Sequence, residues 1–76
     1  MNRQRRNELK SIMDQLEELK DNLETLKDEE ESYRDAMPEN LWGSERYSAS
    51  EEASSNLDDA FNSLEEAISS IEAAIE

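Results

Sequence analysis

Ser50-Glu51-Glu52-Ala53-Ser54-Ser55-Asn56, Leu57-Asp58-Asp59-Ala60-Phe61-Asn62-Ser63, Leu64-Glu65-Glu66-Ala67-Ile68-Ser69-Ser70, Ile71-Glu72-Ala73-Ala74-Ile75-Glu76: from Ser50 to Glu76 the chain falls into sevens. With the positions lettered a to g, Ser50, Leu57, Leu64 and Ile71 occupy a, and Ala53, Ala60, Ala67 and Ala74 occupy d. Position e carries Ser54, Phe61, Ile68 and Ile75. Acids fill b and c as Glu51-Glu52, Asp58-Asp59 and Glu65-Glu66, ending on Glu72. An apolar a/d/e stripe beside a ridge of carboxylates is the pattern of an amphipathic helix that packs along its length.

The same period runs through the first half. Leu9, Leu16 and Leu23 hold one core position and Ile12, Leu19 and Leu26 the other, and the repeat continues through Glu30 and Tyr33 to Met37. Glu30 interrupts the seam near the end of this segment. Met13, Lys20, Lys27 and Arg34 form a mostly basic line one residue after the second core position. The spacing offers Glu17–Lys20, Glu24–Lys27, Glu31–Arg34 and Glu30–Arg34 as pairs along the helix, each contributing a few tenths of a kcal/mol. The first helix is predicted over about residues 2–36, roughly 50 Å long.

Between the two periodic segments lies Met37-Pro38-Glu39-Asn40-Leu41-Trp42-Gly43. Pro38 lacks the donor that would continue a helix and pushes Met37 out of helical geometry. Two N-caps are available to the second helix. Ser48 with Glu51 makes a capping box, whereas Ser44, after the single glycine, places Tyr47 in the first turn and is preferred. The second helix then covers about 45–74, with a hinge over 37–44. A short link between long helices makes an all-α antiparallel helical hairpin, a single domain over residues 1–76. Leucines of the first helix are expected to fill the space above the alanines of the second. The Phe61, Ile68, Ile75 line widens the stripe beyond what one partner helix covers, so the hairpin is expected to form a homodimer, a four-helix bundle. A monomer would leave a wide apolar edge.

Composition excludes much chemistry. Cysteine and histidine are absent from the 76 residues, which removes disulfides, thiolate or imidazole metal sites and the usual nucleophile–base pairs. Net charge is −13, although residues 1–10 are basic through Arg3, Arg5, Arg6 and Lys10. Eight acids and no bases follow from Tyr47 onward. Such a field disfavours direct nucleic-acid and membrane binding and favours basic protein partners. The basic start has no apolar segment behind it and is not read as a secretory signal. A cytoplasmic protein is expected.

Pro38-Glu39-Asn40-Leu41 and Gly43-Ser44-Glu45-Arg46-Tyr47, followed by acidic heptads such as Leu64 to Ser70, resemble a group of small acidic coiled-coil proteins encoded by bacteriophages and mobile elements of Firmicutes. The resemblance spans the hinge and second helix and, more loosely, the second half of the first. Glutamine is usual in that group where Trp42 stands here. The resemblance implies a genetic setting, with the host-cell cytoplasm as location, and no catalytic residues.

Candidate sites are therefore binding surfaces. Asp28-Glu29-Glu30-Glu31 point in different directions on a helix and lack a calcium-loop glycine, so neither a metal nor a cofactor is assigned. A thin hairpin offers no pocket to tune a carboxylate for acid–base work, so no enzyme is expected. Arg3, Arg5 and Arg6 lack the interleaved aromatics of a nucleic-acid contact. The sharper candidate is the ridge Glu51, Glu52, Asp58, Asp59, Glu65, Glu66 and Glu72. Its heptads recur about every 10 Å, against a phosphate spacing of about 3.4 Å per DNA strand, and two ridges in a dimer raise the density. The function read from this is antagonism of a basic, nucleic-acid-handling host or defence protein, as a DNA mimic or anti-CRISPR-like inhibitor. The alternative is a structural adaptor that docks a partner through its apolar edge or the hinge residues Leu41, Trp42 and Tyr47. At the hinge, a cap over Tyr33 and Met37 competes with an exposed aromatic contact.

Overall fold

The computed structural model describes residues 1–76 as two long helices and a hinge. Helix α1 spans Arg3–Asp35, a 3₁₀ turn covers Glu39–Leu41, and helix α2 spans Glu45–Ile75. The helices lie antiparallel in a rod of 59 × 15 × 13 Å.

Each boundary has a local cause. The Asn2 side chain accepts from the Arg5 N–H at 2.7 Å and caps α1. At the far end the Met37 N–H donates to the Arg34 carbonyl and Pro38, at φ −57°, ends the helix. The 3₁₀ turn closes with Leu41 N–H on the Pro38 carbonyl and Trp42 N–H on the Glu39 carbonyl. Gly43 then adopts φ +88°, the only positive φ in the chain, which reverses direction without a Cβ penalty. Of the two possible caps the structure uses Ser44, whose hydroxyl accepts from the Tyr47 N–H at 3.2 Å.

The seam between the helices differs from the expected one. Helix α2 turns positions a and e toward α1: Ser50, Ser54 and Ile68 are buried, and Leu57, Phe61, Leu64, Ile71 and Ile75 are half-buried. Helix α1 likewise presents Leu9, Leu16, Leu23 and Glu30 together with the basic line Met13, Lys20, Lys27 and Arg34. Ile12, Leu19, Leu26 and Tyr33 are left 45–57% exposed, and Ala60, Ala67 and Ala74 are exposed as well. The nesting of α1 leucines over α2 alanines inside one hairpin is thus overturned. Positions a and e are spaced four and three residues apart, as d and a are, so a stripe of three positions contains two overlapping seams that share a. Pairing a/e from α2 buries its bulkiest side chains. The long stems of Lys20, Lys27 and Arg34 can then cover that seam while their charged ends reach its edge.

Candidate protein-binding surfaces

The edge of the seam is closed by those basic ends. Lys27 Nζ lies 2.8 Å from Asp58 Oδ1, and Lys20 Nζ lies 3.4 Å from Glu17 and 3.9 Å from Glu65. Both ammonium groups also face the Phe61 ring, at 5.5 and 5.4 Å from its centroid, a cation–π arrangement that holds the stems over the seam. The hydrogen bond from Lys27 to Asp58 holds the ammonium above its ordinary pKa. Burial opposes the shift, while the charges of Asp58, Glu31 and Asp28 add to it. Of the four pairs anticipated within α1, only Glu17–Lys20 forms, because Lys27 and Arg34 turn to α2 instead.

Toward the hinge the seam becomes polar. Arg34 Nη1 donates to Ser54 Oγ at 2.7 Å and to the Ser50 carbonyl at 3.1 Å. The Ser50 hydroxyl donates to Glu30 Oε2 at 3.3 Å. Glu30 is therefore a member of a cross-helix network that also uses the two buried serines, where the sequence suggested only an interruption.

The hinge aromatics form a partial cap. The Trp42 indole N–H donates to the Met37 carbonyl at 3.0 Å, its ring lies 6.1 Å from that of Tyr47, and Met37 is buried. Leu41 and Trp42 stay 41% and 52% exposed while Tyr47 is half-buried. Tyr33 is exposed on another side and is not covered.

The hairpin has two unlike faces. When antiparallel helices meet along a and e, position b projects to one side from both helices and d to the other, since successive residues turn about 100°. The b side carries Arg3 and Lys10 and then Glu17, Glu24 and Glu31 from α1, and Glu51, Asp58, Glu65 and Glu72 from α2. Glu52, Asp59 and Glu66 extend it around α2, all exposed. Beside the α1 row runs Asp14, Asp21, Asp28 and Asp35, every one exposed. This aspartate line is legible in the sequence as an acid every seven residues, and it adds to the candidate ridge of α2. Of the α2 ridge, Asp58 and Glu65 are engaged with lysines and the others have no ion pair. No group of three or more Asp or Glu side chains converges as a metal site. The grooves on the surface are shallow, one lined by Asn62, Glu65, Glu66, Ser69 and Ser70 and the other by Leu26, Glu29, Glu30 and Tyr33. No helix is long and apolar enough to cross a membrane. The chain matches no protein-family model, no curated protein and no solved structure.

Proposed function

We propose that this protein acts by binding and not by catalysis, presenting its carboxylate side to the basic surface of a nucleic-acid-handling protein and inhibiting it. One observation carries the reading. Rows of acids from both helices share one side of the rod beyond its basic first turns, the α1 aspartates and glutamates on one flank and the α2 ridge on the other, with the line Lys20, Lys27 and Arg34 between them. A rod of this width lined with carboxylates suits a channel that ordinarily holds a phosphate backbone. The phage or mobile-element setting implied by the hinge motif suits an inhibitor of a host or defence protein.

The ion pairs refine which acids face the partner. Asp58 and Glu65 help hold the hairpin, so the contact set is Glu51, Glu52, Asp59, Glu66 and Glu72. The test is capture of partners from a bacterial host lysate on tagged protein, washed in parallel at low and high salt. Competition with duplex DNA and a chain carrying Glu51→Gln, Glu52→Gln, Asp59→Asn, Glu66→Gln and Glu72→Gln complete it. Inhibition predicts a nucleic-acid-binding partner that high salt, DNA and the neutralised chain each release, because exposed charge contacts are screened. A partner that survives neutralisation sinks the proposal. The exposed Leu41 and Trp42 favour a second reading, an adaptor docked through the hinge. Its partner would resist salt and be lost with Trp42→Ala.

A further inference from the structure

The d side of the hairpin has no partner within the chain. Ile12, Leu19, Leu26 and Tyr33 stand along α1 at 45–57% exposure, and the small side chains of Ala60 and Ala67 run beside them on α2. We propose that this face is covered by a second copy of the chain, giving a two-fold, face-to-face dimer whose four helices share one core.

Three observations select a second copy as the occupant. The first is surface area. A compact protein of 8.8 kDa exposes about 4,800 Å², whereas this chain exposes 5649 Å². The excess, about 900 Å², is close to the roughly 800 Å² that each partner loses in a standard protein interface. The second is the core itself: Met37 and Ile68 are the only buried apolar residues, too few to hold two helices of 33 and 31 residues. The third is shape. A ridge of large side chains and a parallel groove of small ones on a single face is self-complementary, as an isologous two-fold contact requires. Ile12, Leu19, Leu26 and Tyr33 recur at seven-residue spacing, as do the alanines, so the two rows stay in register along the rod. Both acidic sides then point away from the contact, and the association does not set them against each other. This inference is independent of the proposed inhibitory function.

Sedimentation equilibrium or light scattering after size exclusion on the whole chain, at moderate salt, tests it. The expected mass is twice 8.8 kDa. Leu19→Gln with Leu26→Gln should shift the chain to the monomer mass at the same concentration, while Glu17→Gln with Glu24→Gln on the opposite side should leave the dimer intact. Thermal unfolding adds a readout that does not depend on the variant folding: the midpoint of the wild-type chain should rise with protein concentration, because folding and association are linked. A wild-type monomer with a concentration-independent midpoint overturns the proposal. So does a dimer that persists undiminished in the Leu19→Gln, Leu26→Gln chain.

Discussion

Arg34→Ala is the substitution whose effect the structure specifies most closely. Nη1 carries two hydrogens, and its two good bonds run to Ser54 Oγ and to the Ser50 carbonyl, at 2.7 and 3.1 Å. The third approach, 3.5 Å to Ser50 Oγ, is marginal. Hydrogen bonds from a charged donor contribute about 1.5–3 kcal/mol each. The Ser54 hydroxyl can turn back to a carbonyl in its own helix, and the Ser50 carbonyl is already part of the helical ladder, which reduces the loss. Glu30 keeps its hydrogen bond from the Ser50 hydroxyl. The net cost is about 2–3 kcal/mol, from a total stability of roughly 4–11 kcal/mol for a domain of this length. In urea, followed by far-ultraviolet circular dichroism, the midpoint should fall by about 2–3 M if the slope is near 1 kcal/mol per M. Arg34→Lys should recover little, since one ammonium does not reproduce the planar fork. A second chain separates stability from specificity. Replacing Glu30 by Leu, Arg34 by Met, and Ser50 and Ser54 by Ala makes the seam uniformly apolar and should be as stable as wild type or more so. A midpoint shift below about 0.5 M for Arg34→Ala would refute the reasoning, as would a large loss in the apolar chain.

Ile68→Ala empties the most buried apolar position of α2, 7% exposed, and should cost about 2–4 kcal/mol in the same titration. Gly43→Ala should cost about 1–2 kcal/mol. A Cβ there meets nothing within 4 Å while φ is +88°, so the penalty is backbone alone, and D-alanine at 43 in a synthetic chain should remove it. Lys27 gives a pH signature. Its folded pKa is raised by Asp58, so its contribution to stability is fully present below the unfolded lysine value of about 10.4 and is lost as pH rises through the higher folded value. Denaturation midpoints measured upward from about pH 9 should decline less steeply in Lys27→Gln than in wild type.

Helices, hinge and orientation were legible in the sequence because each rests on local physics. The seven-residue periods, Pro38, the single glycine and the Ser44 cap placed both helices within one residue of their observed ends, and the helical surface carrying the α2 carboxylates follows from the same period. The choice of seam was not legible. Outside Glu30, Ser50 and Ser54, both helices carry an apolar or amphipathic residue at a, d and e, so each offers two seams of equal spacing, and periodicity cannot rank them. Contacts between residues distant in sequence decide it: Phe61 beneath Lys20 and Lys27, Lys27 on Asp58, and Arg34 on Ser50 and Ser54. That choice turned Glu30 from an interruption into a network member, engaged Asp58 and Glu65 within the hairpin, and left the leucine and alanine rows unpartnered side by side. Period and turn chemistry act between neighbours in the chain and so determined that a hairpin forms. Side-chain length and charge across the seam act only once the helices meet, and these decided which side of the hairpin is apolar and which is acidic.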